Sequence, residues 1–273
     1  MGDSVQLFLH YDKGDGKPIK TNLPEYNEFE VGSIQTETLY GILHDSGNYY
    51  VAKYENETLE KIAETSIRHS CFSENGIYYQ VDKTIFVMDY NGANSTVVVK
   101  IPDELYLNSE YSSFAVCDGS IWYQNGSDYD SNEIPLWSYD LSEKVFSTYN
   151  IGGINAVNNG YLYFIRYDEF EISTLWRFNV KTFHIEQVSD LFVNSVAFCS
   201  LGILLQTETE LYLLNSDGTT KILDCEEIEG CVFFVGVSSH NDRIFVKSSA
   251  GIFDGRINEI DLNGNIIRQI CAY

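Results

Sequence analysis

One short acidic segment has the spacing of a calcium-binding loop. In DYDSNE, residues 128–133, Asp128 and Asp130 occupy alternate positions. A calcium loop of this kind also needs a glycine at its sixth position for the sharp turn and a bidentate glutamate at its twelfth to complete the oxygen cage. This chain has Glu133 and Tyr139 at those positions. We therefore interpret the segment as a polar turn, and the sequence predicts no metal site.

Catalytic motifs are missing from the sequence. It contains no GxSxG nucleophile elbow, no HExxH zinc motif and no phosphate-binding P-loop. The five histidines form no i,i+4 pair, and His69 with Cys71 supplies two ligands where a zinc site needs three or four. The sequence therefore predicts no catalytic residues and no cofactor. It favours a binding protein over an enzyme without deciding between them.

The charge of the chain narrows the class of partner. Forty acidic residues against seventeen basic ones give a formal net charge of −23. A field of that sign repels nucleic-acid phosphates and anionic membrane surfaces. No stretch approaches the roughly eighteen apolar residues of a membrane-spanning helix. We expect no direct nucleic-acid binding and no membrane association, whereas a basic protein or peptide fits this charge.

The six cysteines form no CxxC motif, and their density is far below that of a disulfide scaffold. A buried thiol behaves as a small hydrophobic side chain. We interpret most of the cysteines as reduced and buried, which predicts a cytoplasmic or nuclear protein, or an extracellular one if a signal peptide has been removed. Four of them lie in or beside apolar strand-like runs: Cys71, Cys117, Cys199 and Cys231. Three N-glycosylation triplets, at Asn56, Asn94 and Asn125, oppose this interpretation, but such triplets arise often by chance in an Asn-rich chain.

The chain repeats one β-hairpin pattern along most of its length. Apolar stretches such as NGIYYQ (75–80) and GSIWYQ (119–124) each precede a further hairpin, and Asn-Gly or Asp-Gly marks several of the turns. Equivalent apolar residues of these stretches are separated by 38, 44, 41, 41 and 41 positions: Leu39, Ile77, Ile121, Leu162, Ile203 and Ile244. A period of about 40 residues is typical of propeller blades.

Each repeat carries four strand signals without the helical periodicity of a βαβ unit. A lone four-stranded sheet leaves its faces exposed, whereas radial packing of such sheets buries them. The sequence therefore predicts an all-β protein, a β-propeller of four-stranded blades, with six blades favoured and seven as the alternative. We predict a single domain over 1–273, in which 1–28 is an N-terminal closure segment or the remnant of a seventh blade. The repeats are placed at 29–66, 67–109, 110–153, 154–192, 193–228 and 229–273.

Residues 55–69, ENETLEKIAETSIRH, fit this scheme least well. Leu59, Ile62 and Ala63 have helical spacing. The segment is either the fourth strand of the first blade or a short helix, and its pattern does not distinguish the two.

The stretches NGIYYQ and GSIWYQ stand where six-bladed YWTD-type propellers of the lipoprotein-receptor class carry their strand motif. In spacing and aromatic character the chain resembles that class over most of its length. It contains no YWTD string, no cysteine-rich companion modules and no Gly-His…Trp-Asp pairing of WD40 repeats. The resemblance therefore implies an architecture and not a function.

Loop lengths indicate where a partner would bind. Turns between third and fourth strands are mostly tight, whereas several loops between second and third strands are long: 125–135, 166–173 and 248–256. Long loops on a rigid scaffold commonly carry binding sites, and aromatic side chains among carboxylates suit a basic segment. We predict a non-enzymatic protein-interaction scaffold that binds a protein partner, with a basic peptide segment as the candidate, through this long-loop face. The predicted binding residues are Asp128, Tyr129, Asp130, Tyr167, Asp168, Glu169, Phe170, Phe253 and Asp254.

The alternative from another class is a carbohydrate-active or lactonase-like propeller enzyme with carboxylates at the channel mouth. Trp122, Trp137 and Trp176 would then form a sugar platform, but packing between blades accounts for them better. Inner strands such as SVAFC (195–199) also offer hydrophobic side chains in place of ligands. The sequence gives no indication of the oligomeric state.

Overall fold

Antiparallel strands joined by short connections build the whole of the described structure. The computed structural model describes residues 6–9, 19–22, 28–35, 38–55, 58–67, 70–73, 75–106, 113–124, 135–150, 154–167, 173–240, 243–251 and 254–272. Within those ranges the chain is all-β, with six four-stranded antiparallel sheets and one two-stranded sheet. Each four-stranded sheet is one blade, with its strands in chain order. The fold is a six-bladed β-propeller, as the repeat predicts, and not a seven-bladed one.

The chain divides into two compact units, Met1–Leu9 with Lys20–Ile154 and His10–Ile19 with Asn155–Tyr273. Unit 1 contains three blades. Blade 1 consists of β3 (Glu28–Gln35), β4 (Thr38–Asp45), β5 (Asn48–Glu55) and β6 (Thr58–Thr65). Blade 2 consists of β7 (Cys71–Ser73), β8 (Gly76–Val81), β9 (Thr84–Met88) and β10 (Thr96–Lys100). A 3-10 turn (Asp103–Leu105) leads to blade 3, which consists of β11 (Ser113–Cys117), β12 (Ser120–Gln124), β13 (Pro135–Asp140) and β14 (Phe146–Asn150).

Unit 2 also contains three blades. Blade 4 consists of β15 (Ile154–Asn158), β16 (Tyr161–Tyr167), β17 (Ser173–Asn179) and β18 (Ile185–Ser189). Blade 5 consists of β19 (Ser195–Cys199), β20 (Gly202–Gln206), β21 (Glu210–Asn215) and β22 (Gly218–Asp224). A 3-10 turn (Cys225–Glu227) leads to blade 6, which consists of β23 (Phe233–His240), β24 (Arg243–Gly251), β25 (Asp254–Ile260) and β26 (Ile266–Ala272). Both helices of the described ranges are thus three-residue turns, and neither could span a membrane.

The N-terminal segment forms a small sheet of its own. β1 (Gln6–Leu9) pairs with β2 (Ile19–Asn22), and blade 6 takes all four of its strands from residues 233–272. The closure role of residues 1–28 and the single-domain organisation stay predictions.

The second strand of each blade carries the strongest sequence signal because it is the most deeply buried. Ile77, Ile121, Leu162 and Ile244, four of the six equivalent residues of the repeat, are 0% exposed. The fourth strands lie at sheet edges, and β10 and β22 expose most of their residues. Burial on both faces selects a continuous apolar run, whereas an edge strand tolerates polar residues.

In the described part of residues 55–69, namely 55 and 58–67, the chain forms strand β6 and no helix. β6 pairs antiparallel with β5, and the register shifts so that Val51 lies opposite Ala63 while Ala52 lies opposite Lys61. Ile62 is the extra residue of this β-bulge. Because the bulge allows Ile62 and Ala63 to pack against the same core despite being adjacent, it imitates the spacing of a helix.

Side chains at the end of the third strand close several of the tight turns. Asp140 Oδ1 accepts hydrogen bonds from the backbone N–H groups of Ser142 (2.8 Å) and Glu143 (2.7 Å). Asp261 Oδ1 accepts from Asn265 N at 2.9 Å. These turns need their carboxylates charged, and the pKa of Asp140 is lowered by the Glu143 N–H, the Ser142 hydroxyl and the Ser142 N–H.

The interpretation of the cysteines as reduced is wrong for one pair. Cys225 and Cys231 form a disulfide, with their Cα atoms 5.6 Å apart. The 3-10 turn that leaves β22 reverses the chain within this six-residue interval, which brings the two side chains together although their spacing matches no familiar motif. Cys71, Cys117 and Cys199 are thiols, and Cys117 is buried, as expected of a small hydrophobic side chain.

Candidate interaction surface

Most of the predicted binding residues lie outside the described residues. These are Asp128, Tyr129, Asp130, Asp168, Glu169, Phe170 and Phe253. Two fall within the described ranges: Tyr167 is the last residue of β16, and Asp254 is the first of β25. The Tyr167 side chain is 40% exposed, which suits an aromatic contact residue. The long-loop face as a whole therefore stays a prediction.

One end of blade 5, in unit 2, lies entirely within the described residues. Strands alternate in direction, so the connections from second to third strand lie at the same end of a sheet as the crossover from its fourth strand to the next blade. In blade 5 this end contains the short β20–β21 loop (207–209) and the crossover to blade 6 (224–232), which we name the acidic crossover.

The acidic crossover is held rigidly at its start by a capping box. The Glu226 N–H donates to Asp224 Oδ1 at 3.1 Å, and the Asp224 N–H donates to Glu227 Oε1 at 2.9 Å. This reciprocal arrangement satisfies two backbone donors that a 3-10 turn would otherwise leave without partners. The Cys225–Cys231 disulfide then ties the start of the crossover to its end.

Backbone hydrogen bonds fasten the acidic crossover to its neighbours within unit 2. The Cys225 N–H donates to Thr209 O at 2.7 Å, and the Val232 N–H donates to Ser249 O at 2.8 Å. Cys225 and Ile228 are buried in the core shared by blades 5 and 6. Apolar side chains therefore anchor the crossover in the core, and main-chain hydrogen bonds join it to Thr209 and Ser249.

The outward side of the acidic crossover presents carboxylates. Residues 224–232 contain four acidic side chains and no basic one. Glu226 and Glu229 are exposed, as is Glu208 in the adjacent loop. Among the described residues, none of these three forms an ion pair. They give this end of blade 5 an excess of exposed negative charge, although the Arg256 guanidinium contacts the crossover through Glu229 O.

The base of the acidic crossover is electrostatically satisfied. Lys221 Nζ lies 3.1 Å from Asp224 Oδ2 and 3.1 Å from Glu210 Oε1. The pKa of Asp224 is lowered first by the hydrogen bond from the Glu226 N–H and then by Lys221. The pKa of Glu210 is lowered first by the Tyr212 hydroxyl and then by Lys221. Asp224 and Glu210 therefore serve the fold, whereas Glu208, Glu226 and Glu229 are free for recognition.

An apolar residue stands at the end of this charged surface. Val232 follows the disulfide directly and is 61% exposed, as are several other large hydrophobic side chains of the described surface to a similar degree. An exposed apolar residue beside unpaired carboxylates offers a contact for a ligand that has both an apolar and a cationic part.

The arrangement offers recognition and no evident chemistry. Within the described ranges, no three His, Cys, Asp or Glu side chains converge as metal ligands would. Trp122 and Trp137 are buried in unit 1, and the Trp137 Nε1–H donates to Leu105 O at 3.3 Å. Trp137 lies in a core cluster formed by residues of blades 2 and 3, which agrees with the predicted packing between blades, and both tryptophans are too deeply buried to form a sugar platform.

Sequence reasoning missed the acidic crossover. Two signals were present in DCEEIEGC: Asp224 and Glu227 have the spacing of a capping box, and a cysteine stands at each side of the acidic run. The prediction compared the loops between second and third strands, and the acidic crossover is a connection between blades, so the comparison did not include it.

No protein-family model matches the chain, and no curated protein matches it either. Solved structures do. One is the crystal structure of a nidogen/laminin complex: the two chains are 11% identical with a TM-score of 0.50, over 85% of this chain and 92% of that one. A second comes from a study of two prolyl endopeptidases, with 10% identity and a TM-score of 0.62, over 94% of this chain and 45% of that one.

At such identities the likeness shows the fold alone. The nidogen propeller is of the YWTD type, so this match agrees with the resemblance seen in the strand motifs.

Proposed function

We propose that this chain is a non-enzymatic protein-interaction scaffold, and that the acidic crossover of unit 2 binds a basic segment of its partner. The observation that carries the proposal is the exposure of Glu226 and Glu229, without ion pairs among the described residues, on a loop held by a disulfide and a capping box. A rigid loop loses little conformational entropy on binding, so its contacts contribute more of their energy to affinity.

The energetic roles within this surface differ. Exposed ion pairs contribute only about 0.2–1 kcal/mol each and are screened by salt, so Glu226 and Glu229 would mainly raise the association rate and select for positive charge. Most of the affinity would come from apolar and aromatic anchors, because a few such residues dominate protein interfaces. Of the exposed large hydrophobic residues in the described part of unit 2, Val232 belongs to the acidic crossover and Tyr167 to the predicted binding residues.

The charge of −23 supports a basic protein partner over nucleic acid or a membrane surface. The similar nidogen structure is that of a complex with laminin, and a protein-binding role for the present chain accords with that precedent. For the enzyme alternative, no arrangement of the described side chains is specific to catalysis.

The test is a binding titration with a short fluorescent peptide rich in Arg and Lys with one Trp. Its counterpart, with Glu at every basic position, serves as the negative probe. We expect the double variant Glu226→Gln/Glu229→Gln to weaken binding of the basic peptide about threefold to tenfold at low salt, and by less at high salt.

A matched control removes the same charge elsewhere. Asp217→Asn with Glu143→Gln changes two exposed carboxylates in tight third-to-fourth-strand turns. If the control weakens binding as much as the Glu226/Glu229 variant, only the net charge matters and the acidic crossover is not the site.

A further inference from the structure

One of the three glycosylation triplets lies at an exposed turn. Asn94 and Ser95 lie in the connection from β9 to β10, Thr96 is the first residue of β10, and all three residues are exposed. Asn94 has a φ of +55°, in the left-handed region that asparagine tolerates better than most residues. Such surface turns suit the large hydrophilic glycan that an Asn-x-Ser/Thr triplet accepts.

We propose that Asn94 carries an N-linked glycan, added in the same oxidising compartment in which Cys225 and Cys231 pair. The disulfide is the independent observation. Disulfides persist in secreted and extracellular proteins and are rare where glutathione and thioredoxin keep thiols reduced. A glycosylation triplet and a disulfide are each weak indicators of compartment when found alone, but both belong to the secretory route.

The geometry of the turn accommodates the modification. Asn94 Nδ2 donates to Asp89 Oδ2 at 2.8 Å, and the Ala93 N–H donates to Asp89 Oδ1 at 2.9 Å. An amide nitrogen carries two hydrogens, so one bond to Asp89 leaves the other hydrogen to be replaced. Ser95 Oγ lies 2.8 Å from the Tyr79 hydroxyl, which fixes the central residue of the triplet. The turn can therefore keep its hydrogen bonds after a sugar is attached.

The chemistry is a glycosyl transfer from a lipid-pyrophosphate-linked oligosaccharide. The Asn94 Nδ2–C1 bond forms as the bond between C1 and the pyrophosphate oxygen breaks. The amide proton leaves to a base of the transferase, and the lipid pyrophosphate is the leaving group. The other two triplets, at Asn56 and Asn125, lie outside or begin outside the described residues and carry no part of the argument.

The glycan would stand at the tight-turn end of blade 2. The β9–β10 turn joins the third and fourth strands, so it lies at the opposite end of that sheet from the β8–β9 connection. A bulky polar group there would keep other proteins from this end of the blade. The glycan site is separate from the proposed interaction surface, which lies in unit 2, although the Cys225–Cys231 disulfide supports both proposals.

The test is peptide mapping of the native full-length protein purified from the cells that make it. We expect peptide N-glycosidase in heavy-oxygen water to convert Asn94 to a labelled aspartate, and a non-reduced digest to yield Cys225 and Cys231 in one linked fragment. An Asn94 peptide recovered without a sugar before glycosidase treatment, or both cysteines recovered as alkylated thiols, would overturn the proposal.

Three variants expressed in the same cells locate the modification. Asn94→Gln and Thr96→Ala each destroy the triplet, and Thr96→Ala keeps the Asn94–Asp89 hydrogen bond. Ser95→Ala keeps a valid triplet and is the matched control. We expect the first two to lose the glycosidase-sensitive mass and the third to retain it. Loss in all three would point to a folding effect of the turn and contradict the assignment.

Discussion

Two crossovers each connect one blade to the next, but different interactions stabilise them. The blade 2–3 crossover (101–106) and the acidic crossover (224–232) each contain a three-residue 3-10 turn with two acidic residues in it. The first has Pro102 at its N-cap and no side-chain capping hydrogen bond, and none of its turn residues is buried. The second has a capping box, a buried cysteine and a disulfide.

Side chains from outside the first crossover stabilise it, whereas a capping box and a disulfide inside the second crossover stabilise that one. Lys83 Nζ lies 2.8 Å from Asp103 Oδ1 and 5.3 Å from the centroid of the Tyr106 ring. Leu105 O accepts the Trp137 Nε1–H.

The disulfide, main-chain hydrogen bonds and the Arg256 guanidinium, which donates to Glu229 O, hold the acidic crossover. Among the described residues, the Glu226 and Glu229 carboxylates form no ion pair. The comparison teaches that an ion pair which stabilises a loop occupies one of its charges, as Lys83 occupies Asp103, whereas main-chain and covalent bonds leave the carboxylates of a loop unoccupied.

The largest expected effect comes from the residue that anchors each crossover. Ile101 and Ile228 are both buried. We expect Ile101→Ala and Ile228→Ala each to lower the free energy of unfolding by about 2–5 kcal/mol, the cost of a truncated core isoleucine. Urea denaturation measures it. A negligible change at one position would show that its crossover does not depend on apolar anchoring.

The disulfide should come next. Removing a cross-link that closes about seven residues frees the unfolded chain and costs about 2 kcal/mol. We expect Cys225→Ser/Cys231→Ser to lose that much stability, and a reductant to lower the unfolding midpoint of the parent protein similarly. Cys199→Ser, which changes a half-buried thiol, is the control. A reductant that leaves the midpoint unchanged would contradict a stabilising disulfide.

The smallest expected effect is a difference between the two crossovers in how the pKa of a carboxylate, Asp103 or Asp224, responds to salt. The pKa of Asp103 is lowered by the hydrogen bond and charge of Lys83, whereas the pKa of Asp224 is lowered first by the backbone N–H of Glu226. For both carboxylates the folded-state pKa lies below the unfolded one. Their contribution to stability is therefore present above the unfolded pKa and is lost as the pH falls through the folded pKa.

Because salt screens an exposed ion pair more than a backbone hydrogen bond, added salt should move the pKa of Asp103 toward its ordinary value further than that of Asp224. Titration of both carboxylates by NMR at low and high salt measures the difference. Equal shifts would mean that Lys221 dominates at Asp224.

Much of this fold could be predicted because it repeats. The buried second strands give Ile77, Ile121, Leu162 and Ile244 nearly constant spacing, and this spacing indicates the blades without any knowledge of tertiary contacts. The first blade was ambiguous only where the bulge at Ile62 disturbs strand alternation. Local patterns predict such elements well because each blade is built from neighbouring residues.

The candidate site was harder to predict because it depends on the conformation of the connection between blades 5 and 6. Whether Cys225 meets Cys231, and whether Glu226 is left without a basic partner, depends on how the chain turns after β22. Loop length and aromatic content led instead to Tyr129, Phe170 and Phe253, which lie outside the described residues. Their role stays a prediction.

The most direct test of the central claim is amide hydrogen exchange with and without the basic peptide. We predict added protection in 224–232 and the adjacent loop 207–209, and none in 101–106, where Asp103 is already paired with Lys83. Equal protection in both crossovers, or protection that avoids 224–232, would contradict the assignment of partner binding to the acidic crossover.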